Sequence, residues 1–286
     1  MDSPIAPQVD QTFADHVAQR RPMPFSHGLA EHPLMAVDAL AGLAGRLGAD
    51  SVSVETGSKP VLTSAPAFMT LDAQAIADQL RTLTTNDAWF TLLNVEQDPA
   101  YGLLVEQILD GIADRAALPR TVLRRRMGFV FASSPGSVTP AHFDIEHSLL
   151  LQVRGRRTLS FGRFRSDEDR EREIGRYWNG GTFGRLETMP EPVDEIRLEP
   201  GVGAYIPPYT PHWLSNGDEA STSLTVTFFE RSNEDESRVQ VLNERLRRLG
   251  IEPTPYGRRP GRDRAKARVM GWYAGLQRRD SAPVRR

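Results

Sequence analysis

The chain of 286 residues contains no cysteine. Disulfide bonds and thiolate metal sites are therefore excluded, and because a cysteine-free chain suits a reducing compartment, we expect a cytoplasmic location. No apolar run approaches the roughly 18 residues of a membrane-spanning helix, and the start of the chain lacks the basic and apolar segments of a signal peptide. We expect no membrane partner.

Lysine is nearly absent as well, since 33 of the 35 basic residues are arginine. The formal net charge is −2, but basic residues gather at one end: residues 253–286 hold 10 Lys and Arg against 2 Asp and Glu. Such a tail can attract nucleic acid, yet it is more often simply solvated. We expect no nucleic-acid partner.

The remaining composition fits a globular protein. With 39% hydrophobic and 25% charged residues the chain can bury a sizeable core, and its length corresponds to one or two domains. Alternating runs from Gly128 to Glu230 predict strands, and in residues 223–229 small hydroxyl side chains alternate with apolar ones. One face of that strand should line a polar lumen and the other should pack under helices.

Ahead of these strands the pattern changes. Helical periodicity covers Pro33–Gly48, Leu71–Leu83 and Tyr101–Ala117, while Ser51–Glu55 and Ala88–Asn94 are predicted to be short strands. We expect this part of the chain to extend or brace the strand region.

A candidate metal site lies among the strands. His142 and Asp144 form an H-x-D pair, and His212 follows 70 residues after the first histidine. Residues i and i+2 of a strand point to the same face, so the pair can bind one ion together. Two imidazoles and a carboxylate form the facial triad of non-haem Fe(II) oxygenases, which leaves coordination positions open.

The alternative for an isolated H-x-D pair is a turn or a satisfied polar pair, but the distant histidine and the surrounding residues favour a metal site. His147 lies on the opposite strand parity from Asp144. We expect it to form a hydrogen bond or to face solvent rather than to bind metal.

Arg157 points to a more specific chemistry. It follows a predicted turn at Gly155 and shares a strand face with Leu159 and Phe161, so it should point into the apolar interior. A buried, unpaired guanidinium is costly, and a carboxylate is its natural partner. A dicarboxylate co-substrate such as 2-oxoglutarate would meet that need. The alternatives are a distant Asp or Glu, or extension of the side chain to the rim.

The segments around these residues resemble the jumonji-type (JmjC, cupin-like) 2-oxoglutarate dioxygenases. The resemblance rests on Ser137–Asp144, Leu151–Arg157, Gly203–His212 and Ser223–Phe229, and it covers roughly residues 125–232. It is closest to the branch that contains the asparaginyl hydroxylase that inhibits hypoxia-inducible factor. The resemblance implies a fold that is mainly β with flanking helices, a double-stranded β-helix (cupin or jelly-roll) barrel.

The same resemblance implies roles for individual residues. The iron ligands would be His142, Asp144 and His212, with Fe(II) as the cofactor and 2-oxoglutarate as the co-substrate.

Four further positions would lie in the co-substrate pocket. Thr139 falls on a hydroxyl that bonds the far carboxylate of 2-oxoglutarate, and Arg157 falls where this branch usually has a lysine that binds the same carboxylate. Ser148 and Thr227 fall on two positions that are often asparagine beside the co-substrate or the metal. Arginine for lysine keeps the charge but changes how the co-substrate sits.

One segment, Arg163–Glu195, interrupts the predicted barrel strands. Ser166 is a suitable N-cap for a helix that starts with acidic residues, which the helix dipole favours. The segment then passes through an aromatic pair and the dipeptide Gly180-Gly181. It is either a solvated helix and loop or a substrate lid that hinges at the glycines.

The resemblance divides the chain into three parts. We expect a helical N-terminal region over residues 1–124 that braces the barrel, a JmjC/cupin-like barrel over 125–232, and a C-terminal helix with a basic tail over 233–286. The helix, predicted over Asp235–Gly250, has an apolar stripe that is wide for a helix covering only its own barrel. Because related hydroxylases dimerise through a C-terminal helix pair, we predict a homodimer.

These features together predict an Fe(II)/2-oxoglutarate-dependent dioxygenase that hydroxylates a peptide, an amino acid or a natural product. Its partners would be 2-oxoglutarate, O₂ and a primary substrate that the sequence does not name. Two alternatives stay open: a non-catalytic cupin-like metal-binding or regulatory protein, and a cupin enzyme that uses Zn(II) or Mn(II) without a keto acid. A carboxylate-binding arginine disfavours the first, because a structural metal needs no co-substrate pocket.

Overall fold

The computed structural model describes residues 5–63, 66, 68–69, 71–180 and 183–280. In these ranges two antiparallel sheets face each other, and helices cover the outer side of the larger one.

The strands, in chain order, are β1 (Met23–Ser26), β2 (Val52–Thr56), β3 (Ala88–Leu93), β4 (Arg124–Ser133), β5 (Val138–His142), β6 (His147–Arg154), β7 (Arg157–Arg163), β8 (Glu191–Leu198), β9 (Val202–Ile206), β10 (His212–Asn216) and β11 (Ser221–Phe229). The α-helices are α1 (Thr12–Gln19), α2 (Val37–Arg46), α3 (Ala73–Arg81), α4 (Pro99–Arg115), α5 (Asp167–Asn179), α6 (Arg231–Arg248) and α7 (Pro260–Asp280).

The strand order defines the fold. The larger sheet runs β1-β9-β6-β11-β4-β3-β2 and the smaller runs β5-β10-β7-β8, so that β8 forms an edge. From β4 to β11 the chain passes back and forth between the two sheets, except at the β7–β8 hairpin. This is the connectivity of a double-stranded β-helix, and it confirms the predicted fold of a mainly β protein with flanking helices.

Alternation along the strands separates two cores. On β11, Leu224, Val226 and Phe228 belong to the core beneath the helices, whereas Ser223 faces the smaller sheet and contacts Arg157. A second core fills the space between the sheets. It consists of Leu150, Leu159, Phe161, Leu198, Ala204, Ile206 and Leu214. The predicted alternation of residues 223–229 is therefore present.

The part of the chain before β4 supplies strands as well as helices. β2 and β3 lie within one residue of their predicted bounds and extend the larger sheet beside β4. α1 and β1 were not predicted. β1 has four residues including Pro24, and it pairs with β9 from Met23 opposite Tyr205. A strand this short, interrupted by a proline, carries no usable periodicity.

The turn between β6 and β7 requires glycine. Gly155 has a φ of +71°, and a Cβ at this position would lie 2.3 Å from the carbonyl oxygen of Ala220. Only a residue without a side chain can make this turn, which sets the register that carries Arg157 into the interior.

The interrupting segment contains α5, which begins as predicted after Ser166, whose hydroxyl accepts the backbone N–H of Asp169 at 3.1 Å. Gly181, half of the predicted hinge, lies outside the described residues.

The C-terminal part is more helical than predicted, since α7 occupies much of the expected basic tail; residues 281–286 lie outside the described residues. The face of α6 that is buried is mainly polar, and Leu249 just beyond it is 75% exposed. The buried polar residues of α6 are Asn233, Glu234, Glu236, Gln240, Asn243 and Glu244. Within the described ranges, no helix is both long and apolar enough to cross a membrane.

Candidate metal centre and co-substrate pocket

The three predicted metal ligands meet at one end of the smaller sheet. His142 ends β5, His212 begins β10, and the two residues are register partners. Asp144 follows β5 by two residues, and its Oδ2 lies 3.7 Å from His212 Nε2. The imidazole centroids are 4.1 Å apart, and one ligand atom of each side chain lies within 4.8 Å of the other two. The side chains therefore converge on a volume that one metal ion can fill.

Backbone carbonyls fix the orientation of both imidazoles. His142 Nδ1 bonds the carbonyl oxygen of Pro140 at 2.7 Å, and His212 Nδ1 bonds that of Thr210 at 2.9 Å. Because a carbonyl oxygen only accepts, Nδ1 carries the proton in each ring and Nε2 keeps its lone pair. Burial, and then the neighbouring His212, lowers the pKa of His142 to about 4. A neutral imidazole with this tautomer is suited to bind a metal.

Arg157 lies between the sheets, as predicted. It is 4% exposed, its Nη2 donates to Thr139 Oγ1 at 2.8 Å, and its Nη1 lies 3.5 Å from Ser223 Oγ. In the part of the chain that the structure describes, no carboxylate pairs with this guanidinium, and its Nε has no hydrogen-bond partner. Burial lowers the pKa of Arg157 to about 10, so the side chain remains cationic at neutral pH.

Ser148 and Thr227 lie side by side on β6 and β11, as register partners. The hydroxyl of Ser148 donates to Asp144 Oδ2 at 3.3 Å, which ties it to a predicted ligand. Thr227 is 3% exposed, and its hydroxyl has no hydrogen-bond partner among the described residues. Both hydroxyl groups therefore line the volume next to the three convergent side chains.

His147 occupies the opposite face of β6. Its ring stacks on Phe228 at a centroid distance of 4.8 Å, and its Nδ1 bonds the hydroxyl of Tyr205 at 2.8 Å. Since Phe228 belongs to the core beneath the helices, His147 points away from Asp144 and forms the hydrogen bond that was predicted.

One titratable group near the site, Glu146, was not predicted. Burial, and then the charge of Asp144, raises the pKa of Glu146 to about 7. The i+2 spacing from Asp144 is a local signal that could have marked this residue. Tyr177, at the end of α5, packs on Phe143 with ring centroids 5.6 Å apart. The interrupting segment therefore reaches the neighbourhood of the metal ligands, as the lid interpretation requires.

A later part of the same interrupting segment lies along the free edge of β5. Gly184 accepts the backbone N–H of Phe143 at 3.1 Å, and its φ of +74° would place a Cβ 2.1 Å from the carbonyl oxygen of Phe143. The backbone of Arg185 forms an isolated antiparallel β-bridge with that of His142. The guanidinium of Arg185 donates to the buried carboxylate of Glu55 at 2.5 Å. Residues 55 and 185 are 130 positions apart, so no local sequence signal could have identified this buried ion pair.

Comparisons with known proteins agree with this architecture. Residues 115–236 match the JmjC domain family. The structure of YcfD from Escherichia coli is similar with a TM-score of 0.53 and 17% identity, over 94% of this chain and 69% of that chain. A second structure, of the Escherichia coli ribosomal oxygenase YcfD in complex with cobalt and 2-oxoglutarate, gives a TM-score of 0.50 and 18% identity, over 94% of this chain and 67% of that one. A search of curated proteins gives no match.

The fold is that of the cupin class, and the convergent His-Asp-His side chains form a candidate site for one metal ion. Residues 115–236 match the model of the JmjC domain family, in agreement with the resemblance seen in the sequence. The narrower placement beside the asparaginyl hydroxylase stays a prediction.

Proposed function

We propose that the protein is an Fe(II)/2-oxoglutarate-dependent dioxygenase that hydroxylates its substrate. The donor set fits Fe(II), because two neutral imidazoles and one carboxylate leave positions open for a bidentate keto acid and O₂. When bound, iron would activate O₂, the oxidant: 2-oxoglutarate would supply two of the four electrons that reduce O₂ and become succinate and CO₂, and the sp³ C–H bond of the substrate would supply the other two. The ligands in this proposal are His142, Asp144 and His212.

The main support for the proposal is the environment of Arg157. Arg157 is only 4% exposed, and no carboxylate of the described residues pairs with its guanidinium. Burying an unpaired cation is costly, and the carboxylate of a bound ligand would provide the missing partner. The far carboxylate of 2-oxoglutarate would accept from Arg157 and from the hydroxyl of Thr139, with the keto-acid end at the metal. A metal-binding protein without turnover has no use for such a pocket, which disfavours the non-catalytic alternative.

Ser148 and Thr227 are proposed to complete the pocket. Ser148 holds the carboxylate of Asp144 in place through its hydroxyl. The buried hydroxyl of Thr227, which lacks a partner within the described residues, is available to the co-substrate directly or through a water molecule. Both side chains are shorter than the asparagine often present at these positions, so a water-bridged contact is the expected form.

The direct test is the conversion of 2-oxoglutarate to succinate by protein that is loaded anaerobically with Fe(II) and then exposed to O₂, with and without cell extract. We expect iron-dependent succinate formation that His212→Ala abolishes. His16→Ala, which changes a histidine of α1 away from the site, should leave the rate unchanged. Stoichiometric metal binding without succinate formation under either condition would instead favour the non-catalytic cupin interpretation.

We propose a peptide as the primary substrate, with an amino acid or a natural product as alternatives. Because the similar Escherichia coli structure is described as a ribosomal oxygenase, ribosomal proteins are the first set to test. Incubation with the iron-loaded protein, 2-oxoglutarate and O₂ should add one oxygen atom to a peptide, detected by mass spectrometry. Oxidation of free amino acids alone would contradict the peptide assignment.

We also propose a homodimer that forms through the end of α6. Leu249 and Ile251 are 75% and 51% exposed, which leaves apolar surface for a second copy to cover. Light scattering at micromolar concentration should give about twice the chain mass, and a mass near 31.9 kDa would contradict the proposal. The double variant Leu249→Asp and Ile251→Asp should shift the protein to monomer, whereas Leu103→Asp, at a leucine of α4 that is 66% exposed, should not.

A further inference from the structure

The loop between β9 and β10, residues 207–211, contacts two of the proposed metal ligands at once. The backbone N–H of Tyr209 donates to the carbonyl oxygen of Asp144 at 2.6 Å. The next residue, Thr210, accepts the Nδ1 proton of His212 at 2.9 Å. One short loop therefore sets the backbone of the carboxylate ligand and the ring orientation of a histidine ligand.

Tyr209 adopts a backbone conformation that needs external support. Its φ is +57°, in the left-handed region that L side chains rarely adopt. Pro207 and Pro208 precede it and Pro211 follows shortly after, so the neighbouring backbone has little freedom to relax. A strained residue of this kind persists only where the surrounding structure over-determines it.

That support comes from the side chain of Tyr209, which is 5% exposed. Its hydroxyl lies 3.2 Å from Ser237 Oγ on α6, and its ring packs on Phe143 with centroids 5.7 Å apart. The guanidinium of Arg170, on α5, lies 5.7 Å from the ring centroid. The ring is thus held from three sides by elements that are distant in sequence.

The cation on this ring is itself fixed. Arg170 bonds Glu236 at 2.7 Å, and Arg20, directly after α1, bonds the same carboxylate at 2.5 Å. The side chain of Glu236 is fully buried. An ion cluster around this buried carboxylate, drawn from three helical regions, therefore lies beside Tyr209 and limits the movement of its ring.

We propose that Tyr209 is a positioning residue of the metal centre. Its buried ring presses the loop 207–211 against Asp144 and His212, and it thereby sets the metal affinity and the coordination geometry. The proposal rests on the metal site of the proposed function, but neither on turnover nor on the identity of the substrate.

The test is a titration of Co(II) into the full-length protein, followed by the visible absorption bands of the bound ion. Tyr209→Ala and Tyr209→Gly should weaken Co(II) binding by about 10- to 100-fold, the usual effect of losing support behind metal ligands, and should change the band pattern. Tyr209→Phe should stay close to the wild type because the ring and its packing remain. Glycine also removes the left-handed strain, so Tyr209→Gly should melt higher than Tyr209→Ala while still losing affinity.

Tyr101→Ala is the matched control. Tyr101, on α4, is fully buried in the core beneath the helices, which does not include Tyr209, and its hydroxyl donates to the carbonyl oxygen of Leu34 at 2.5 Å. This variant should lower the melting temperature but keep the Co(II) affinity. If Tyr209→Ala does not fold, Tyr209→Leu should show the same loss of affinity, because leucine keeps an apolar side chain but is shorter than tyrosine and has no ring.

Three results would overturn the proposal, and they are distinguishable. Wild-type Co(II) affinity in both Tyr209→Ala and Tyr209→Gly would show that the ring does not position the ligands. An equal loss of affinity in Tyr101→Ala would show that the effect follows general stability. Absence of Co(II) binding to the wild type would remove the metal site and this proposal together.

Discussion

Two adjacent arginines show how strongly the environment decides the role of a side chain. Arg157 is buried beside Thr139, whereas the side chain of Arg156 is 71% exposed and lies 3.8 Å from Glu219. Arg157→Ala should raise the 2-oxoglutarate concentration for half-maximal succinate formation by roughly one to three decades, the scale of a lost charge-assisted pair. Iron affinity should barely change.

Arg156→Ala is the control, because an exposed ion pair contributes little. Its 2-oxoglutarate requirement should equal that of the wild type. If both variants shift the requirement equally, the effect is one of general surface charge and Arg157 does not bind the co-substrate.

The buried ring of His147 predicts a pH effect on stability. Burial lowers its pKa from 6.5 to about 3, so the folded protein keeps the ring neutral while the unfolded chain takes up a proton below about pH 6.5. Its contribution to stability is complete above that pH and is lost as the pH falls toward 3, by about 1.4 kcal/mol per pH unit. In urea titrations between about pH 6 and pH 4, His147→Gln should lower stability overall but flatten this decline. A slope identical to that of the wild type would assign the acid sensitivity to other groups.

At the scale of residues, the sequence predicts what local spacing encodes. The i, i+2 rule brings His142 and Asp144 together, and strand parity directs Arg157 inward. The support behind these residues is not encoded locally. Tyr209 acquires its environment from α5 and α6, which reach it only in the folded chain, and no periodic pattern marks such a contact.

At the scale of elements, the start of α6 is tied to the metal centre. The side chain of Asn233 is fully buried, accepts the backbone N–H of Glu230 at 2.7 Å and donates to the carbonyl oxygen of Ile145 at 2.9 Å. Asn233→Ala removes both bonds and should lower the free energy of unfolding by about 1–3 kcal/mol, measured by urea denaturation. Ser232→Ala, at the exposed neighbouring position, should change it by less than about 0.5 kcal/mol. Equal losses in the two variants would contradict a special role for Asn233.

The strands of the barrel were predictable because each has one face toward the apolar core, which imposes a period of two. The burial of α6 was harder to predict, because its buried face is mainly polar. Its buried face carries Glu234 and Glu236, which are paired in the fold with Arg124 and Arg170. Because these glutamates are paired with arginines, they can be buried at positions where an amphipathic pattern predicts exposure. The apolar stripe predicted for this helix therefore did not identify the side of α6 that is buried.

At the scale of the whole molecule, ligand binding should be visible as stabilisation. A ligand at about 100 times its dissociation constant adds about 2.7 kcal/mol to the stability of a protein that binds it only when folded. We expect Co(II) to raise the melting temperature by several degrees, and 2-oxoglutarate to raise it further only when the metal is present, since the keto acid would be bound at both ends. A shift of equal size produced by 2-oxoglutarate without metal would contradict the chelating pose.

The edge strand β8 of the smaller sheet should affect how readily the protein forms fibrils. An unpaired strand offers free N–H and C=O groups on which a strand of another chain can align, and growth by repeated addition leads to cross-β fibrils. β8 is largely exposed, but Pro192 cannot donate to such a ladder, and Glu191, Asp194, Glu195 and Arg197 would all have to lose water against an added strand. We therefore expect the charged edge to protect concentrated protein from templated self-assembly.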